Sequence, residues 1–305
     1  MSFISPWIHT TDKCNLKCHY CYVRGNDVMA PAVYSDLQHF LLGASVDDIH
    51  LRFAGGEPLL VFNIWESFAR SMLQHEGVTV EVLTNFTDVP KSFWKFAELD
   101  NVNVSVSIDN GRKVKILDKK IVEKVGRLRE PWIMTTITKE NLNQLDVMAA
   151  YIGLNNYGWY LATDYFEKTT PHWEDLAIGL LGIVDILKEF NYDFTKISFN
   201  NFSMNLNFSG CRAGDKMFAV APDGSIYKCQ TLIGKPAKIG DVWDGYKRTP
   251  PPVRKLCEEC PIYGACSGWC PIYYKVPNSM CNVIKIFADA VIKEVKQNAN
   301  AYEKG

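Results

Sequence analysis

The stretch Cys14-Asn15-Leu16-Lys17-Cys18-His19-Tyr20-Cys21 decides how this chain is read. Its three cysteines follow the β-prone run Trp7–Thr10 directly, which places them on a loop at the end of a first strand. Three thiolates this close can hold three irons of a cubane cluster and leave the fourth iron open. An open metal position is what lets a cofactor or substrate be ligated. A zinc knuckle pairs C-x2-C units and needs a fourth ligand, and His19, between the cysteines, is badly placed to supply it.

Outward from this loop, short runs rich in Val, Ile, Thr and aromatics alternate with longer amphipathic stretches up to about residue 165. Strands are expected at Trp7–Thr10, Ile49–Ala54, Val78–Thr84, Val102–Ile108, Trp132–Thr138 and Trp159–Thr163. Helices are expected at Pro31–Leu42, Ile64–His75, Lys91–Leu99, Lys119–Arg129, Leu142–Ile152 and Trp173–Phe190. Alternation of this kind implies βαβ units and a parallel sheet, here an α/β fold of roughly six units forming an open partial (β/α)6 barrel. Such sheets carry their sites at the C-terminal ends of the strands, where the cysteine loop falls. After about residue 205 glycine, proline and cysteine rise. Pro222-Asp223-Gly224 predicts a turn between two short strands, Thr249–Pro252 a stiff connector, and Val283–Asn298 a terminal helix. The expected division is residues 1–205 and 206–305.

The ten cysteines fall in two groups, Cys14, Cys18 and Cys21, then Cys211, Cys229, Cys257, Cys260, Cys266, Cys270 and Cys281. The chain has no secretory start, so it is expected in the cytoplasm, where grouped cysteines are more often metal ligands than disulfides. A formal net charge of −1 offers no long-range field to nucleic acid or an anionic membrane, and no apolar run is long enough to cross one. No nucleic-acid or membrane partner is expected.

The C-x3-C-x2-C spacing with an aromatic before the last cysteine resembles the radical SAM superfamily. In that family the open iron binds S-adenosylmethionine (SAM), whose reductive cleavage yields a 5′-deoxyadenosyl radical that abstracts hydrogen from substrate. The resemblance places Tyr20 against the adenine. It extends to Gly55-Gly56-Glu57-Pro58 after the second strand, similar to the family's GGEP segment, where glycines admit close backbone approach to the cofactor. Thr84-Asn85 resembles the family's T-N-G, with Phe86 in place of the glycine, and Ser105–Asp109 contains an S-x-D with Ser107 near the SAM carboxylate or ribose. The following segment, Asn110–Lys115, is short, and no arginine is assigned there. SAM contacts are thus expected from Tyr20, Gly55, Gly56, Glu57, Asn85 and Ser107, and no catalytic residue is assigned.

The second cysteine group resembles the SPASM extension of radical SAM enzymes, including the hairpin text from Lys216 to Cys229. That resemblance implies two auxiliary 4Fe–4S clusters and three clusters in all. Cys257, Cys260, Cys266 and Cys281 would hold the outer auxiliary cluster; Cys211, Cys229 and Cys270 would hold the inner one, with Met217 where some relatives have a further cysteine. On spacing alone, tetrahedral zinc at these cysteines is the alternative.

Enzymes of this architecture mostly modify peptides or proteins. The expected function is therefore a peptide-modifying maturase that crosslinks, oxidises or epimerises a side chain of a ribosomally made precursor. The triad begins at residue 14, so leader recognition would need a separate protein or direct substrate binding; the reductant would be a flavodoxin or ferredoxin. A radical dehydrogenase or epimerase acting on a sugar or aminocyclitol is the alternative. An anaerobic sulfatase-maturating enzyme fits less well, because Gln230 stands where that group has an aspartate base after the hairpin cysteine. His9, His39, His50, His75 and His172 are scattered and read as surface or core residues. Trp159, Tyr160, Asp164 and Tyr165 are equally compatible with core and pocket.

Overall fold

The computed structural model describes residues 2–109, 117–163, 169–200, 202–204, 212–250, 255–266, 268 and 278–302. Six parallel strands form its centre: β1 (Phe3–Thr11), β2 (Asp48–Gly55), β3 (Val78–Thr84), β4 (Val102–Ser107), β5 (Trp132–Ile137) and β6 (Gly158–Thr163). Helices α1 (Pro31–Leu42), α2 (Phe62–Met72), α3 (Lys91–Ala97), α4 (Lys119–Val125), α5 (Leu145–Asn155) and α6 (Trp173–Glu189) connect or follow them. All six expected βα units are present. The first strand starts four residues earlier than its sequence signal, because Pro6 cannot donate to a ladder and interrupts the β-prone pattern.

Burial alternates along the strands. In β2 and β3, Ile49, Leu51, Phe53, Val78, Val80 and Val82 are buried against helices, while His50, Arg52, Thr79 and Glu81 on the opposite face are half-buried. Phe53 stacks on Trp65 of α2 at 4.2 Å between ring centres, and Phe62, Phe93 and Phe96 close the cluster edge to face. Each such aromatic pair adds about 1 kcal/mol beyond the area it buries.

The sheet continues past the six units in both directions without closing. At one end β7 (Ile197–Phe199) adds parallel to β6 and β8 (Phe202–Ser203) turns back on it. At the other end β9 (Met217–Val220) lies parallel to β1, followed by antiparallel β10 (Ser225–Tyr227), β11 (Lys238–Asp241) and β12 (Gly245–Tyr246). The order is β12-β11-β10-β9-β1-β2-β3-β4-β5-β6-β7-β8, a single twelve-stranded sheet. The expected turn joins β9 and β10: Gly224 is left-handed (φ +82°), and the ring of Trp243 packs where a side chain would otherwise stand. A short helix, α7 (Lys255–Glu258), and the terminal helix α8 (Asn278–Tyr302) complete the chain. Phe287 of α8 packs edge to face on Phe199 and Phe202, and Lys188 of α6 pairs with Glu294 at 3.2 Å. No helix among the described residues is long and apolar enough to cross a membrane.

Candidate functional site

The cysteine loop leaves the C-terminal end of β1 and is closed at its neck. Asp12 N–H and the Thr11 hydroxyl both donate to the Asp27 carbonyl (2.8 Å each), and Met29 N–H donates to Thr10 O at 2.9 Å. Its root is tied to the end of β2, where Gly56 N–H donates to Thr11 O at 2.7 Å and Glu57 N–H to Lys13 O at 2.8 Å. Both glycines are required. Gly55 has φ +135°, and a Cβ on either residue would drive into the Thr11 or Lys13 carbonyl oxygen. The loop presents Cys14 exposed and Cys18 and Cys21 half-buried; among the described residues no cysteine is joined in a disulfide. Three thiols on one exposed loop at the mouth of a parallel sheet suit an open-sited cubane cluster.

Glu57 is buried and turns inward. Its carboxylate accepts from the Thr84 hydroxyl (2.6 Å), Asn85 N–H (2.7 Å) and Leu59 N–H (3.1 Å), the last capping the turn Pro58–Val61. It therefore locks the end of β3 to the glycine turn. Asn85 points at the cysteine loop: its amide nitrogen lies 2.9 Å from Asn15 Oδ1 and 3.8 Å from Cys14 Sγ. Phe86 keeps the left-handed backbone (φ +58°) that a glycine would favour, and its fully buried ring packs on Phe93 and Trp94. Burial of the ring offsets a backbone cost of about 1–2 kcal/mol.

Ser107, half-buried, ends β4. Two residues on, buried Asp109 accepts from the Tyr20 hydroxyl at 2.7 Å on both carboxylate oxygens, so the cysteine loop is also tied to β4. Gly56 and Asn85 thus bond to the cysteine loop, Tyr20 lies within it, and Ser107 ends the strand after which Asp109 holds Tyr20. Asp109, Asn15 and Thr87 are members that residue-type reasoning passed over. Asp109 carried a signal, as the acidic residue of the S-x-D segment; the other two have none in sequence. Buried His9 pairs with Asp12 at 2.8 Å beneath the loop. Trp159 is core, its indole donating to Thr135 Oγ1 at 3.0 Å, whereas Tyr160 is half-buried with its hydroxyl 3.2 Å from Asn200 O. Asp164, Tyr165 and residues 110–115 lie outside the described residues.

In the C-terminal part, buried Cys266 has its thiol pushed up to about 11, first by burial and then by the neighbouring Cys260, Cys257 and Cys281, against a lowering hydrogen bond from Gly268. Cys257, Cys260 and Cys281 thus each act electrostatically on Cys266, although Cys281 is fifteen residues from it in sequence. Among the described residues no three His, Cys, Asp or Glu side chains converge on one metal ion; a cubane sets its ligands farther apart, one on each iron. Gly268 (φ +79°) packs so closely that a Cβ would lie 3.2 Å from Cys257 Sγ. Cys229 follows β10, half-buried, 3.5 Å from Thr231 Oγ1; Cys211 and Cys270 lie outside the described residues. Met217 opens β9.

Residues 8–133 match the family model of the Radical SAM superfamily. The chain is 26% identical over 273 residues to an uncharacterized protein of Methanocaldococcus jannaschii, covering 81% of this chain and 91% of that one. It is 20% identical over 316 residues to the cysteine-type anaerobic sulfatase-maturating enzyme of Clostridium perfringens, covering 84% and 85%. Among solved structures, anSMEcpe with bound AdoMet and the Kp18Cys peptide superposes with a TM-score of 0.77 at 19% identity, covering 97% of this chain and 99% of that chain. Streptococcus suis SuiB bound to the precursor peptide SuiA superposes with a TM-score of 0.62 at 15% identity, covering 88% and 72%. At these identities the structural likeness is one of fold.

Proposed function

We propose, on the footing that residues 8–133 make this chain a radical SAM protein, that it reductively cleaves SAM to modify a side chain of a peptide or protein. The observation that carries the reading is the mouth itself. Three thiols on one loop are held at the C-terminal ends of the strands and hydrogen-bonded to the ends of β2, β3 and β4. Cys14, Cys18 and Cys21 would hold the SAM-binding 4Fe–4S cluster, with Tyr20, Gly55, Gly56, Asn85 and Ser107 around the cofactor and Glu57 fixing the turn between them. A cluster and SAM bound there would supply one-electron reductive cleavage and a strong hydrogen-abstracting agent. The chain's own contribution is to hold the loop in register with three strand ends.

Residues 1–205 would form the SAM-binding unit and 206–305 the SPASM unit. By the resemblance to the SPASM extension, Cys257, Cys260, Cys266 and Cys281 would hold one auxiliary 4Fe–4S cluster, and Cys211, Cys229 and Cys270 the second. Such clusters suit an overall oxidation, because they can take an electron from a substrate radical. Two proteins sharing the fold have been solved with bound peptides, which favours a peptide substrate. Against sulfatase maturation stands Gln230, whose amide cannot act as the base an aspartate supplies. A flavodoxin or ferredoxin would be the reductant, and the oxygen-sensitive clusters suit the cytoplasm.

The test is iron and sulfide content with Mössbauer spectra, plus deoxyadenosine release, on anaerobically reconstituted protein. About twelve irons per chain, falling to about eight in a Cys14/Cys18/Cys21→Ala variant that releases no deoxyadenosine, is expected for three cubanes. Zinc with four irons or fewer in the wild type would refute the auxiliary clusters. Deoxyadenosine release that survives in the variant would refute the site.

A further inference from the structure

The Thr84-Asn85 sequence leaves the direction of the Asn85 carboxamide open, and the fold fixes it. Its backbone N–H is held by Glu57 Oε2 at 2.7 Å, and Lys124 Nζ binds the next two carbonyls, Phe86 O at 3.2 Å and Thr87 O at 2.6 Å. The main chain on both sides is therefore fixed. Asn85 Oδ1 accepts from Thr87 N–H at 3.0 Å and from the Thr87 hydroxyl at 2.6 Å. A backbone N–H can only donate, so the oxygen must face Thr87 and the NH2 must face the cysteine loop. There one hydrogen meets Asn15 Oδ1 at 2.9 Å and the other points to Cys14 Sγ at 3.8 Å, while Asn15 Nδ2 closes the ring onto Thr87 Oγ1 at 2.9 Å. With two donors and two acceptances met, and only 7% of the residue exposed, the amide has one orientation.

We propose that Asn85 is a positioning residue for the SAM-ligating cluster, its amide donating a hydrogen bond to the Cys14 thiolate and thereby setting that cluster's reduction potential. The proposal rests on the reading that the triad holds a 4Fe–4S cluster. A thiolate is a better acceptor than a thiol, so the contact strengthens when Cys14 ligates iron. Hydrogen bonds to cluster sulfurs withdraw charge from the iron and favour the reduced state. Asn85 thus acts on the cofactor through Cys14, and Asn15 and Thr87 act by holding its amide in place.

The test is the midpoint potential of the reduced-cluster EPR signal that changes on adding SAM, which singles out this cluster from the auxiliary ones. Asn85→Asp, whose added negative charge lowers the midpoint by itself and is controlled for by the neutral variant Thr87→Val, is isosteric and keeps the acceptor for Thr87 but loses the donor. It is expected to retain wild-type iron, shift the midpoint to more negative potential, and slow SAM cleavage at limiting reductant by about 10- to 100-fold. Thr87→Val is measured alongside because it adds no charge: it removes the hydroxyl that holds the amide oxygen and is expected to shift the midpoint in the same direction by less. A loaded variant of either kind with an unchanged midpoint overturns the proposal. A wild type with no SAM-responsive 4Fe–4S signal removes the functional reading itself, and this proposal with it.

Discussion

Single residues at the mouth are held by shared hydrogen bonds, so their replacement costs more than one contact. Glu57 is the clearest case, a buried carboxylate serving three donors from two segments. In Glu57→Gln the new NH2 must face one of those donors, leaving a buried donor unsatisfied at about 1–3 kcal/mol. We expect a lower thermal midpoint and reduced deoxyadenosine release together, because Asn85 loses its anchor. An unchanged melting curve with lost activity would instead mean that Glu57 touches the cofactor directly. Phe86 shows the other side of residue-scale economy, a left-handed backbone kept by a side chain that packs too well to give up.

At the scale of elements, strands β2, β3 and β4 are cross-linked on the face away from the helices. Glu81 lies 3.1 Å from Arg52 Nε and 3.2 Å from His50 Nε2, and accepts from the Ser105 hydroxyl at 2.6 Å. The Arg52 guanidinium also sits 5.2 Å over the Trp7 ring of β1. Burial pushes the Glu81 carboxyl up, but the hydrogen bond and charge of His50, the charge of Arg52 and the Ser105 hydroxyl outweigh it and hold it at about 2, below the ordinary 4.5. A carboxyl whose folded value is depressed contributes stability that is complete above its unfolded value and lost as pH falls toward the folded one. Glu81 should therefore contribute on the order of 3 kcal/mol above about pH 4.5 and lose it by about pH 2. Chemical denaturation across that window should show wild type losing stability faster than Glu81→Gln. The difference between the two slopes isolates Glu81 from the other carboxylates and from cluster loss; parallel slopes would refute the assignment.

For the whole molecule the decisive fact is that the C-terminal hairpin is sewn to β1 by parallel pairing of Ser5–Ile8 with Met217–Val220. Phe218 is fully buried, its ring 6.0 Å from Phe40 of α1 and 4.7 Å from Tyr246 of β12, and the Trp243 indole donates to Asp36 of α1 at 2.8 Å. The two parts share a sheet and a core. A fragment ending at residue 205 would leave β1 as an unprotected edge with apolar residues beside it, an invitation to edge-to-edge association. We expect such a fragment to aggregate on size-exclusion chromatography where the full chain does not; a soluble, folded monomer would show that the sheet's centre stands without its extension.

The six βα units were legible in sequence because strand and helix periods are local, and so was the cysteine loop, because its three thiols are neighbours along the chain. What sequence could not reveal is what depends on pairing across distance. The apolar run at Met217–Val220 reads as a strand, but nothing in it names β1 as its parallel partner. Likewise Asn15 and Thr87 are unremarkable residues until folding sets them on either side of Asn85, 70 and 2 residues away along the chain. Sequence alone determined which groups this protein has for its chemistry, because residue type and short spacing set what a loop can ligate. Tertiary structure alone decided which way those groups face, because a hydrogen bond has direction and its partners here come from strands that meet only in the folded sheet.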